Sequence, residues 1–212
     1  MSFRPPPPEP TTLSGPAGPL EAVVEVPEDY PGRHCAIVCH PHPLYGGTLT
    51  NKVVHMTARA LQERGYATIR FNFRGVGASA GSFDDGRGET GDALAVLDEA
   101  LRRWPGARPT VAGFSFGAYV AYRVASDRPL AQLITIAPPV ARFEFQAAPV
   151  PAIPWLVIQG DVDEVVDPGA VRAWAIKLTP APTVVMIAGA SHFFHGQLAA
   201  LREAVQSHLI GD

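Results

Sequence analysis

A serine between two glycines stands where a β-type run of residues gives way to a helical pattern. The pentapeptide GFSFG occupies residues 113–117 and is followed at once by AYVAYRVAS. A sharp strand-to-helix turn strains its central residue, and the flanking glycines remove Cβ atoms that would collide there. Ser115 Oγ is then held out at the start of a helix, and the Phe116 amide points to where an oxyanion would form. The pattern predicts a nucleophilic serine rather than an ordinary Gly-Ser turn.

A serine hydroxyl needs a base to take its proton and a carboxylate to orient that base. Both residue types follow predicted strands further along the chain, in the order Ser, Asp, His. His192 comes directly after one strand and a Gly-Ala-Ser turn, whereas His195 lies at the start of the last helical pattern, which favours a structural role. After the strand 154–159, the turn GDVDEVV offers two aspartates, Asp161 and Asp163, and both are candidates for orienting the base.

The second oxyanion donor is expected in the loop that follows the strand 35–40, which reads HPHPLYGG. Its two prolines have no amide hydrogen to donate. The backbone N–H groups of His42, Leu44 and Tyr45 are therefore the candidates. The same prolines would stiffen the loop before a substrate arrives.

Neither a metal nor a dinucleotide is indicated. His40, His42, His192 and His195 form two close pairs, but their spacing matches no zinc pattern. The run RGVG from residue 74 fails the G-x-G-x-x-G pattern because position 80 is alanine. We expect no metal and no cofactor, and we expect Arg74 to be structural.

The elements that must position these residues alternate along the chain. Candidate strands are 21–26, 35–40, 67–72, 109–114, 131–137, 154–159 and 183–188, and candidate helices are 52–64, 89–104, 116–127, 168–178 and 196–209. Several strands are near-continuous apolar runs, which is typical of strands covered on both faces. The alternation predicts an α/β fold with a doubly wound, mainly parallel central sheet and helices on both faces. Ligands in such sheets bind outside the carboxyl ends of the strands, where the candidate residues stand.

Length and composition suit one domain. The chain has 212 residues and a formal net charge of −3, and seven of its 22 prolines fall in the first 19 residues. We expect a proline-rich N-terminal leader over 1–19 that packs little of itself, and a single domain over 20–212.

No basic excess indicates nucleic acid, and no apolar run indicates a membrane span. Cys35 and Cys39 would lie about 13 Å apart on a strand, too far for a disulfide, so free thiols and a cytoplasmic location are expected.

Five short segments of the chain together resemble those of one known superfamily. They are HP…GGT, NFRGVG-S, GFSFG, QGD-DE and SHFFH. From about residue 20 onward it resembles the α/β-hydrolase superfamily, and more closely its small, lidless bacterial serine hydrolases. The resemblance implies Ser115 as nucleophile, His192 as base and Asp163, at the aspartate of G-x-x-D, as the orienting carboxylate. It implies the amides of Phe116 and His42 as oxyanion donors. Larger members insert a helical cap after the strand 131–137, but the proline-rich segment 138–153 leaves no room for one.

The expected function is hydrolysis of small carboxylic esters through an acyl-enzyme intermediate, by a monomer or weak homodimer. The same apparatus also serves thioesterases, lactonases and peptidases. Dienelactone hydrolases, which the chain also resembles, use cysteine at the position of Ser115. A different class is a non-catalytic binding or scaffold protein on the same fold, with the prolines of 5–8 as a polyproline II ligand.

Overall fold

The computed structural model describes residues 4–211, so the first three residues and Asp212 lie outside the described part. Within it the strands are β1 (Glu9–Gly15), β2 (Gly18–Glu25), β3 (His34–Cys39), β4 (Ala67–Phe71), β5 (Arg108–Phe114), β6 (Gln132–Ile136), β7 (Trp155–Gly160) and β8 (Thr183–Ile187). The helices are α1 (Lys52–Gln62), α2 (Arg87–Arg103), α3 (Phe116–Asp127), α4 (Pro168–Ala175) and α5 (Leu198–Ser207). Short 3-10 turns cover Pro43–Tyr45 and Phe145–Ala147.

The strands form one mixed, mostly parallel sheet in the order β1-β2-β4-β3-β5-β6-β7-β8. From β4 to β8 every pairing is parallel, while β1 and β2 run antiparallel at one end. Strands β3, β4, β6 and β7 are buried at every position, as is typical of strands that are covered on both faces. The mainly parallel sheet is confirmed, and its carboxyl ends meet at one edge.

Helices cover both faces of the sheet. Apolar side chains of α2, α3 and α4 pack on one face, and those of α1 and α5 pack on the other. The apolar residues of each helix therefore have a sheet face to bury against, which confirms the doubly wound arrangement. Among residues 4–211 no helix combines the length and apolarity needed to cross a bilayer.

The N-terminal segment differs from the expected leader, because β1 lies inside the range 1–19. It pairs antiparallel with β2 across a tight turn, with Gly15 opposite Gly18. Leu13 is 5% exposed and its partner Leu20 is fully buried. The proline content indicated an extended leader, but Pro10 stands on an edge strand, the place in a sheet where proline is tolerated. The expected boundary at residue 19 is therefore corrected: residues 9–15 are part of the sheet.

The two cysteines are buried free thiols on β3, as the strand spacing predicts. Burial raises the pKa of Cys35 to about 11 and raises that of Cys39 as well. The thiol is the stable form at neutral pH, so these groups are inert packing residues rather than nucleophiles.

Candidate active site

Ser115 occupies a strained turn between β5 and α3. Its backbone has φ 53° and ψ −119°, a conformation rarely adopted by a residue with a side chain, and its amide donates to the Ile136 carbonyl at 2.8 Å. The two flanking glycines are required by close approach. A Cβ on Gly113 would lie 2.0 Å from the Gly117 oxygen, and a Cβ on Gly117 would lie 2.4 Å from the Cys39 oxygen. The turn can form only with these glycines, and it presents the serine hydroxyl at the carboxyl edge of the sheet.

The structure brings His192 between Ser115 and Asp163. His192 Nε2 lies 3.2 Å from Ser115 Oγ, and His192 Nδ1 lies 2.9 Å from Asp163 Oδ2. Since an ionised carboxylate only accepts, the hydrogen of the neutral ring is on Nδ1, and Nε2 is left free to accept the serine proton. His192 is 3% exposed and Asp163 is 7% exposed, so solvent competes little for either bond. Ser115, His192 and Asp163 thus form one continuous hydrogen-bonded chain.

The Asp163 carboxylate is held by backbone amides as well as by the imidazole. Its Oδ1 accepts from the amides of Val165 and Val166, each at 2.8 Å, and its Oδ2 also accepts from Gln159 Nε2 at 2.9 Å. Burial by itself would raise the pKa of Asp163. The hydrogen bonds from His192 and from the two valine amides outweigh that effect and hold this pKa below its usual range. The carboxylate is therefore ionised and fixed in orientation.

The competing residues are placed elsewhere. Asp161 is exposed and accepts a hydrogen bond from the Gly189 amide at 2.7 Å, which ties the β7 turn to the β8 turn. Of the two candidate aspartates, the structure puts Asp163 on His192. His195 is exposed on the loop before α5, with its ring 6.0 Å from that of Phe193.

Two supporting side chains were not found from the sequence. Gln159, at the end of β7, is fully buried and donates to Asp163, and Glu164 accepts from the His192 backbone amide at 3.2 Å. A glutamine in an otherwise apolar buried strand is a signal that could have indicated a buried polar partner. Nothing in the sequence indicates that Glu164 would reach residue 192.

The hydrogen bonds that the candidate oxyanion donors already make distinguish them from one another. The Leu44 amide donates to His42 Nδ1 at 3.2 Å, and the Tyr45 amide donates to the His42 carbonyl at 3.1 Å. The His42 amide, in contrast, has no acceptor within residues 4–211, and His42 lines the cavity at Ser115. The Phe116 amide opens α3, where helix geometry provides no internal acceptor. The amides of His42 and Phe116 are thus the pair available to an oxyanion.

His40 anchors the loop that carries His42. Its ring is fully buried, Nδ1 donates to the Pro41 carbonyl at 2.6 Å, and Nε2 accepts from the Phe73 amide at 3.0 Å. Both ring nitrogens are therefore occupied within the protein. Among the described residues, no group of three or more His, Cys, Asp and Glu side chains could hold a metal ion.

The pH dependence of stability should report on His40. Burial lowers the pKa of His40 to about 4, although its bond to Pro41 opposes this. The unfolded chain takes up that proton near pH 6.5, so below this pH the unfolded state binds more protons than the folded one. The free energy of unfolding should fall by about 3 kcal/mol between about pH 6.5 and 4 from this group alone. Urea unfolding across that range measures the fall, and NMR of the imidazole nitrogens tests its source. An assigned His40 ring that is protonated at pH 6 would contradict the assignment.

Arg74 is structural, as expected. Its backbone amide and its guanidinium both donate to the fully buried carboxylate of Asp92, with contacts of 2.8 to 3.0 Å. This ion pair joins the loop after β4 to α2 and stays away from the cavity.

An open cavity of about 470 Å³ lies over Ser115 and His192. Its walls are mainly aromatic and apolar; they are formed by Pro41, His42, Tyr45, Phe116, Pro139, Phe143, Val165, Val166 and Phe193, together with Gly46, Gly47, Asn51 and Arg142. Tyr45 is 82% exposed and Phe193 is 42% exposed, so the rim is both apolar and accessible. The segment between β6 and β7 contains only the short turn Phe145–Ala147, and in the described part of the chain no cap covers the site.

Three aromatic residues around the β6–β7 connection divide into two groups. Phe143 lines the cavity, with its ring stacked on Tyr119 at 4.9 Å. Phe145 and Trp155 are buried in the core instead, where both contact Tyr122. Of these three, Phe143 lines the cavity and the other two do not.

Comparison with known proteins supports this architecture. The family model described as serine aminopeptidase S33 matches residues 34–150. The uncharacterized protein RP471 of Rickettsia prowazekii is 38% identical over 191 residues, which cover 85% of this chain and 80% of that protein.

Two solved structures extend the likeness to almost the whole chain. One, from Xanthomonas campestris, is of a member of the α/β serine hydrolases without a lid; it is 48% identical, covers 98% of this chain and 96% of its own, and superposes with a TM-score of 0.90. The other, an α/β serine hydrolase homologue from Coxiella burnetii, is 46% identical, covers 95% and 97% of the two chains, and has a TM-score of 0.92. With the nucleophile turn, the hydrogen-bonded chain and the uncapped sheet edge described above, these matches establish that the chain belongs to the lidless α/β serine hydrolases.

Proposed function

We propose that the protein hydrolyses carboxylic esters through an acyl-enzyme intermediate, with Ser115 as nucleophile, His192 as base and Asp163 as the carboxylate that orients it. The observation that carries this proposal is the continuous hydrogen-bonded chain from Ser115 Oγ through His192 to Asp163, at the floor of an open cavity. No cofactor takes part in this chemistry.

The reaction has two steps. In the first, Ser115 Oγ attacks the ester carbonyl while His192 Nε2 takes its proton, and the amides of Phe116 and His42 donate to the oxyanion. The tetrahedral intermediate collapses, the C–O bond to the alcohol breaks, and His192 returns the proton to the leaving alcohol. In the second step a water molecule attacks the acyl carbonyl while His192 takes a proton from it; the bond between the acyl carbon and Ser115 Oγ then breaks, His192 returns the proton to Oγ, and the carboxylic acid leaves. Throughout, Asp163 holds the imidazole tautomer and stabilises its protonated form.

The lining of the cavity favours esters over peptides with a free amino end. Recognition of a protonated amine needs a carboxylate within reach. Among the described residues that line the cavity none is Asp or Glu, and the formally charged side chain there is Arg142. Such a wall repels an ammonium group. This supports an ester as the substrate, rather than the peptide with a free amino end that the name of the matching family model suggests.

A fluorophosphonate probe tests the proposal independently of the substrate. The wild-type protein should take up one probe per chain, with the adduct mapped to Ser115 by peptide mass spectrometry. Ser115→Ala should remain unlabelled, whereas Ser207→Ala, at the exposed end of α5, should label like the wild type. A scaffold protein with an inactive site would not react at all, and that result would overturn the proposal. A panel of matched esters, thioesters, lactones and aminoacyl amides then ranks the remaining alternatives by kcat/KM.

Two expectations accompany this function. A monomer or weak homodimer is expected, since the chain carries nucleophile, base, carboxylate and oxyanion donors itself. A cytoplasmic location is expected from the two free thiols.

A further inference from the structure

Among the described residues that line the cavity at Ser115, Arg142 carries a formal positive charge. Arg142 lines the cavity, is exposed, and follows the Pro138-Pro139 turn at the end of β6. Within residues 4–211 no carboxylate pairs with its guanidinium. Several other arginines of the surface do pair, Arg102 with Glu99 at 2.7 Å for example. The positive charge at the rim is thus left for a ligand.

The segment that carries Arg142 is held in place by backbone bonds. The amides of Arg142 and Phe143 both donate to the Pro139 carbonyl, at 2.9 and 3.2 Å. The Phe143 ring packs against Tyr119 at 4.9 Å and against Phe116 at 5.4 Å. The guanidinium therefore projects from a fixed base beside an aromatic wall, and a ligand needs to order only the side chain itself.

The charge of Arg142 acts on the interior of the cavity. Burial lowers the pKa of His42; the Asp85 carboxylate opposes this lowering, and Arg142 adds to it. Asp85 does not line the cavity. An anionic group bound beside Arg142 would meet a guanidinium that donates in a planar fork, the geometry that suits carboxylate and phosphate oxygens.

We propose that the natural substrate is an ester that also carries a carboxylate or phosphate group, with Arg142 binding that anion while the apolar body of the substrate lies against Phe143 and Phe116. This inference rests on the proposed esterase function. It makes Arg142 a binding residue that selects anionic over neutral esters, and it assigns that residue no part in the bond-breaking steps.

Three matched substrate pairs test the proposal and locate the anion. The first is the p-nitrophenyl hemiester of glutaric acid and its methyl ester, which place the charge on the acyl side. The second is 4-acetoxybenzoate and its methyl ester, which place a carboxylate on the alcohol side, and the third is 4-acetoxyphenyl phosphate and phenyl acetate. For each pair the measured quantity is the ratio of kcat/KM for the anionic ester to that for the neutral one.

Arg142→Gln should lower this ratio about fivefold or more in at least one pair, mainly through KM. Arg142→Lys should retain part of the preference, and Arg142→Glu should reverse it. Lys177→Gln removes one exposed positive charge outside the cavity and should leave every ratio unchanged. Ratios that are equal in wild type and Arg142→Gln for all three pairs would overturn the proposal.

A binding measurement keeps this inference separate from the proposed reaction. In the Ser115→Ala background, calorimetry with the three anionic esters should detect binding that Arg142→Gln weakens about fivefold or more and Lys177→Gln does not. If fluorophosphonate labelling and ester turnover both fail, the esterase function is wrong, yet this binding experiment still decides the role of Arg142. Equal binding with and without Arg142 would overturn the anion site itself.

Discussion

Ser115→Ala should lower kcat for p-nitrophenyl butyrate by about 10⁴-fold or more. The alanine has no oxygen to form the acyl-enzyme, so only direct attack by water remains, assisted by the amides of Phe116 and His42. The fold should be retained, because the Ser115 backbone is set by Gly113 and Gly117, and its hydroxyl is hydrogen-bonded to the imidazole of His192. Steady-state kinetics at pH 7.5, with p-nitrophenolate release as the signal, measures the change.

The matched control is Ser207→Ala, which makes the same substitution at an exposed position of α5. It should turn over the ester at the wild-type rate. If Ser115→Ala is as active as this control, Ser115 is not the nucleophile. Far-UV circular dichroism and thermal melting of both variants establish that any loss arises from the site and not from unfolding.

Asp163→Asn should lower kcat by about 10³- to 10⁴-fold while leaving KM nearly unchanged. An amide at this position can still accept from the Val165 and Val166 amides through its oxygen. Its NH₂ group then faces His192 and donates to Nδ1, which shifts the ring hydrogen to Nε2. A protonated Nε2 cannot take the proton of Ser115. The effect is therefore on the chemical step rather than on binding.

The control for this prediction is Asp161→Asn, two residues earlier on the same turn. Asp161 accepts from Gly189 and does not contact the imidazole, so this variant should keep kcat within about threefold of the wild type, the range usual for an exposed hydrogen bond. A larger loss in Asp161→Asn than in Asp163→Asn would reverse the assignment of the orienting carboxylate.

The nucleophile turn could be predicted from the sequence because its requirements are local. The glycines of GFSFG are needed for contacts with immediate neighbours and with β3, and the strand and helix on either side have clear periodicity. The positions of strands and helices followed for the same reason, since several of the buried strands are near-continuous apolar runs. The order of serine, aspartate and histidine along the chain then indicated which strand ends carry the candidate residues.

The choice between Asp161 and Asp163 could not be made from the residues alone. It depends on how the chain turns after Gly160, and that turn is stabilised by amides of Val165 and Val166 that reach back to Asp163. Resemblance to a family supplied the choice instead. The same applies to the oxyanion donor, since His42 is distinguished from Leu44 only by which amides already have acceptors.

The sequence indicated neither the strand β1 nor the position of Arg142 at the cavity, and the two reasons differ. Pro10 and the neighbouring prolines of the N-terminal segment mask a strand that gains its stability from pairing with β2. Arg142 lies in an irregular segment without periodicity, and its exposure beside Ser115 depends on how the sheet brings the ends of β5 and β6 together. The pairing of β1 and the position of Arg142 both depend on tertiary packing rather than on local sequence preferences.

An uncapped cavity also determines what becomes of the acyl group. Enzymes that close over their substrates can exclude bulk solvent and hand the acyl group to a second alcohol. Here Ser115 faces a mouth rimmed by exposed Tyr45 and Phe193, and within residues 4–211 the segment between β6 and β7 forms no cap over it. Water, present in large excess over dilute alcohols, should therefore react with the acyl-enzyme first, and the product should be the free acid rather than a transesterified ester.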